Sequence, residues 1–109
     1  MKINKLYFFL ALTLASAQSM AADDSGKIVE LYAHPDGQMA VRLDNGLPNS
    51  NVANNCGSAN NQWAGVAATV DPSIKAAMLA AHTSKANVML ITMGKCVGGW
   101  IKIEAMSIK

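Results

Sequence analysis

Few residues in this 109-residue chain have the type and spacing that chemistry requires, and the two cysteines, Cys56 and Cys96, come first. Neither lies in a Cys-x-x-Cys pair or beside an evident base, so an activated thiolate is not indicated. No histidine pair stands near them at ligand spacing, which makes a poor zinc site. In an oxidising compartment they are expected to form a structural disulfide. That bridge closes a loop of about 40 residues and stabilises by roughly 4 kcal/mol in the chain-entropy model.

His34 and His82 are the only histidines. Neither has a second ligand or a nucleophile at a telling distance along the chain. His34 with Asp36 is the one pairing from which an enzyme could be built, and it lies in a turn signal. Met89 and Met93 share a strand face and suit gap-filling in a core or interface better than a thioether metal site. The expectation is a non-enzymatic protein with no cofactor and no metal.

Binding is better provided for. Tyr32, Trp63 and Trp100 carry planes that can stack on the apolar C–H face of a sugar, and the same rings can fill a core or a subunit interface. The Asn-rich stretch Asn49 to Asn61 offers hydrogen bonds to hydroxyl groups, although asparagine is also what turns use for left-handed positions.

The compartment is read from the first residues. Lys2 and Lys5 precede the apolar run Leu6 to Ala15, and Ser19-Met20-Ala21 places small residues where a signal peptidase inspects them. That run is short for a bilayer span, so residues 1–21 are expected to be a cleaved secretory signal. Residues 22–109 then form a single disulfide-linked domain, secreted or periplasmic, with no membrane insertion. Losing Lys2 and Lys5 from nine basic residues leaves seven against seven acidic ones, scattered along the chain. No basic footprint for nucleic acid remains.

The elements that must position these residues follow from pattern. Lys27 to Ala33 alternates as a strand, with Val29 and Leu31 on one side and Ile28, Glu30 and Tyr32 on the other. His34-Pro35-Asp36-Gly37 is a turn, Met39 to Leu43 is the returning strand, and Asn45-Gly46 ends it. Leu47 to Asn61 reads as a long loop pinned by Cys56. Trp63 to Val70 resumes β character, with small residues that would let a helix approach closely.

Asp71 caps a helix with Pro72 at its first position. The helix carries the stripe Ile74, Ala77, Met78 and Ala81, widened by Leu79. Asn87 to Met93 is apolar on both faces, which predicts a central strand or one covered by a second copy of the chain. Gly94 to Gly99 reads as a turn, and a last strand follows from Trp100. The fold class is mainly β with one helix, in the order β-β-β-α-β-β. That is the element order of an OB-fold-like small five-stranded barrel, with an open three-plus-two-stranded sheet as the alternative.

These residues resemble the B subunits of the subtilase cytotoxin and typhoid toxin group, secreted OB-fold proteins that assemble as glycan-binding pentamers. The resemblance lies in Ser25-Gly26 leading into a first strand that ends in Tyr32, and in the turn at Gly37. It continues through Cys56 with Trp63 seven residues on, a helix with Met78-Leu79, and Thr83-Ser84 before the strand at Val88. It implies that Ser25 contacts the carboxylate of a sialic acid on a cell-surface glycan, with Asp24 and Tyr32 beside it. It also implies a homo-oligomeric ring, a pentamer, and a catalytic A subunit as partner. A stand-alone periplasmic structural or protein-interaction domain is the other class.

N-terminal sequencing of the exported protein is expected to begin at Ala22 or Asp23. A start at Met1 would reject the cleaved signal.

Overall fold

The computed structural model describes residues 21–53, 56 and 62–109. The expected signal as far as residue 20, and residues 54, 55 and 57–61 of the Asn-rich stretch, lie outside the described residues. Seven elements follow one another among the described residues. They are β1 (Ala22–Ala33), β2 (Met39–Leu43), α1 (Pro48–Ala53), β3 (Trp63–Val66), α2 (Pro72–Ser84), β4 (Asn87–Val97) and β5 (Trp100–Ile108).

The protein is mainly β, and each of the five strands has two neighbours, so the sheet closes in the order β1-β2-β3-β5-β4. All pairings are antiparallel except β3 with β5. The expected order is corrected by one element, because α1 stands in the stretch read as loop. Its Asn and Ser residues are poor helix formers, and what makes the helix is a tertiary cap.

β1 is longer than its alternation predicts because it serves two partners. Ala22 to Lys27 pairs with β4, and Ile28 to Ala33 pairs with β2. The change of partner coincides with a register shift between Ile28 and Glu30, a bulge that bends the strand. Asp24, Gly26 and Ile28 face inward before the bulge, and Val29 at the bulge is 47% exposed. Leu31 packs on the core beyond it. The predicted faces of Ile28 and Val29 are therefore exchanged, since strict alternation fails across an inserted residue.

A second irregularity corrects the turn expected from Gly94. β4 continues to Val97, with Thr92 opposite Ile103 and then Cys96 opposite Ile101. The extra residues on β4 are taken up at Gly94, whose φ of 75° only glycine adopts without cost. The true turn is the two-residue Gly98-Gly99 connection between Val97 and Trp100. At the other hairpin His34 to Gly37 is a turn as predicted, closed by the Gly37 N–H donating to the His34 carbonyl at 2.9 Å.

α2 begins as predicted, with the Asp71 carboxylate accepting the Ser73 N–H at 2.8 Å. That bond lowers the Asp71 pKa from its ordinary value. The helix buries Met78 and Ala81 and half-buries Ile74, but Leu79 is 54% exposed, so the apolar stripe is narrower than expected. It packs against β1 and β5. The core inside the closed sheet is aliphatic, centred on Val41, Leu43, Val66, Met78, Val88, Leu90, Ile101 and Ile103.

The long connection after β2 is held at two points. Cys56 forms a disulfide with Cys96 of β4. Asp24 of β1, 3% exposed, accepts the Asn49 N–H at 3.0 Å and the Ser50 N–H at 2.8 Å. These are orphan donors of the first turn of α1, satisfied from another element. Ser50 and Thr92 are fully buried beside it, with the Thr92 hydroxyl donating to Ser50 Oγ at 2.9 Å.

Replacing Asp24 by Ala strands both N–H donors and is expected to cost about 2–3 kcal/mol. Urea unfolding should show a lower midpoint at unchanged slope, while Ser25→Ala at the exposed neighbouring position stays within about 0.5 kcal/mol.

Candidate aromatic groove

The outer face of the closed sheet near the β1–β2 turn carries most of the protein's chemistry. Cross-strand register explains the grouping. Glu30 lies opposite Arg42, which lies opposite Trp63, and the parallel step from Ala64 to Ile101 places Trp63 beside Trp100. The adjoining row is Tyr32, Ala40, Gly65 and Lys102. Trp63 and Trp100 on one row, with Ala40 and Gly65 between Tyr32 and Lys102 on the next, leave a groove of about 360 Å³, lined by Glu30, Leu31, Tyr32, Trp63 and Trp100.

Tyr32 meets Trp100 edge-to-face, with ring centroids 5.7 Å apart and planes at 73°. Such a pair is worth about 0.5–1.5 kcal/mol beyond its buried area, enough to fix both rings as walls. Trp100 lies over Gly65, where a Cβ would fall 2.5 Å from Cε3 of the indole and 2.9 Å from the Met39 carbonyl oxygen. Gly65 of β3 thus admits a ring from β5, while Ala64 faces the core cluster that also holds Met78 and Ala81 of α2. Arg42 donates from Nε to Glu30 Oε1 at 2.9 Å beside the rings. Both partners are well exposed, so the pair adds at most about 1 kcal/mol to stability. Among the described residues, the other donors and acceptors of the pair have no hydrogen-bond partner.

His34 stands at the rim, 6.2 Å from Tyr32 between ring centroids. Its Nδ1 is 3.0 Å from Asp36 Oδ1 and 3.3 Å from the Asp36 backbone nitrogen, so it donates to the carboxylate when protonated and accepts from the N–H when neutral. The Gln38 N–H, and after it His34, lowers the Asp36 pKa from its ordinary value. The pair is exposed and ties the turn together. Among the described residues, no group of three His, Cys, Asp or Glu is placed to hold a metal ion.

The sequence-derived sugar contacts are not brought together. Tyr32 is 43% exposed and joins the groove. Ser25 is exposed seven residues earlier on β1, roughly 20 Å of strand away. The Asp24 carboxylate is buried against α1, with an N–H on each oxygen. Trp63 and Trp100 are half-buried on the outer face and take no part in the core. Glu30 and Leu31 of the lining, with Arg42 and Gly65 beside it, are the residues that pattern reasoning missed. An acid and a base at outward positions of a predicted hairpin were a usable signal, whereas the partner of Gly65 required the β3–β5 pairing.

No family model, curated protein or solved structure matches this chain.

Gly65→Ala is expected to displace the Trp100 ring. Near-ultraviolet circular dichroism should lose intensity from the Tyr32–Trp100 contact while far-ultraviolet spectra stay β-rich. An unchanged aromatic spectrum would show that Trp100 does not rest on Gly65.

Proposed function

We propose that the chain is an exported, non-enzymatic binding domain of the OB-fold type, and that the aromatic groove receives a pyranose ring of a glycan. The carrying observation is the wall of Tyr32, Trp63 and Trp100 beside the Arg42–Glu30 pair. Aromatic faces suit the C–H patch of a sugar, and a guanidinium with a carboxylate serves its hydroxyls as donor and acceptor. In OB-folds the faces of strands 2 and 3 and the loops after strands 1 and 4 take oligosaccharides or oligonucleotides. The groove draws on that region through Trp63, the His34 turn and Trp100 after Gly99. Balanced charge favours the sugar, since a nucleic-acid strand needs a cationic track.

The B-subunit-like role, with a ring of copies and a catalytic partner, belongs to the same proposal. Its support is the outer face of β4, where Met89 and Ile91 are half-buried and Met93 is 45% exposed. Several copies on one ring would turn a weak single-site affinity, about millimolar, into useful avidity.

A glycan array with the mature protein, Trp100→Ala and Ser25→Ala tests the site. Binding is expected to persist in Ser25→Ala and to fall by about tenfold or more in Trp100→Ala, the loss of one stacking platform. Loss in Ser25→Ala alone would move the site to the start of β1. Hydrolysis of any substrate that disappears in His34→Ala would overturn the non-enzymatic role.

A further inference from the structure

A second concavity lies where the β1 bulge meets the end of α2, apart from the aromatic groove. It has a volume of about 270 Å³ and is lined by Lys27, Ile28, Val29, His82 and Lys85. We propose that it binds an oxyanion ester, a phosphate or sulfate group carried on an apolar body.

Two local irregularities make the site. The bulge turns Val29 outward and leaves the Ile28 carbonyl 3.2 Å from His82 Nδ1, which joins the strand to the helix. At the helix end Lys85 adopts the left-handed conformation, φ 57°, usually filled by glycine. Its backbone N–H closes on the His82 carbonyl at 3.3 Å, and the Ala86 N–H closes on Ala81 at 3.1 Å. The carbonyls of Ala81 and His82 are thus satisfied, and a lysine occupies the turning point next to the cavity.

Charge points to an anion. Lys27 and Lys85 both line the cavity, and no carboxylate among the described residues stands within ion-pair distance of either ammonium. The acid nearest in the chain's hydrogen bonding is Asp44, which accepts the backbone N–H of Lys27 at 3.0 Å. The two ammonium groups provide the donors that a tetrahedral oxyanion accepts from, while His82 Nδ1 donates to the Ile28 carbonyl. The exposed Val29 provides an apolar wall that a bare inorganic ion does not use. The ligand chemistry is therefore bipartite, and a soluble ester and a lipid headgroup share it.

The test is an NMR titration of the amide spectrum of the mature protein with butyl phosphate and with inorganic phosphate, at concentrations up to about 10 mM. Butyl phosphate is expected to shift the amides of Lys27 to Val29 and His82 to Ala86, and to bind more tightly than inorganic phosphate. The Lys27→Gln/Lys85→Gln double variant should weaken that binding by about tenfold, as loss of two solvent-screened charge contacts requires. Its unchanged shifts elsewhere would confirm the fold. Sedimentation with phosphatidic acid vesicles separates the sources. Vesicle binding lost in the double variant assigns a lipid headgroup, and butyl phosphate binding without vesicle binding assigns a soluble ester. Absence of shifts, or equal binding by the double variant, overturns the proposal. Both outcomes are independent of Trp100 and of glycan binding.

Discussion

One strand has to bend for this protein to exist. β1 hydrogen-bonds to β4 with its first half and to β2 with its second, and a straight strand cannot keep both ladders on opposite sides of a small closed sheet. The bulge at Val29 supplies the bend at the expense of exposing one valine. Much follows from it. The interior face moves by one residue, so Ile28 and Leu31 both reach the core. Tyr32 and Glu30 are carried onto the outer face beside β2, where the groove forms. The Ile28 carbonyl beside the bulge meets His82 and ties the helix to the strand.

Closure also sets the terms for buried polarity. The start of β1 brings Asp24 inward at a position an apolar residue would normally fill. An isolated carboxylate there would be costly. Its two oxygens instead take the first free N–H groups of α1, and Ser50 and Thr92 complete a hydrogen-bonded cluster. The same contacts hold a six-residue helix that is too short to persist alone. With the Cys56–Cys96 bridge further along, the connection between β2 and β3 is anchored to both β1 and β4. A small domain with a modest aliphatic core gains from such staples.

Among the described residues the core holds no aromatic ring, and this distribution gives the outer face its character. Tyr32, Trp63 and Trp100 gather where Ala40 and Gly65 leave room for them, and the exposed Arg42–Glu30 pair borders them. Rings placed outside a core contribute little to closing it. Their arrangement on rigid strands is what a ligand platform needs.

What the sequence determined by itself was local. The Asp71-Pro72 helix start, the His34–Gly37 turn, the Met39–Leu43 strand and the pairing of the only two cysteines on described residues follow from side-chain chemistry within a few positions, or from there being one possible partner. The tertiary structure decided everything that depends on a distant neighbour. α1 formed because Asp24, some 25 residues away, caps it. Gly94 became a bulge because β5 pairs on both sides of it. Trp63 and Trp100 became neighbours only through the parallel β3–β5 step. Periodicity records which way a side chain points along one strand, and it carries no information about which strand lies alongside. Closure of the sheet supplies that information, and with it the groove.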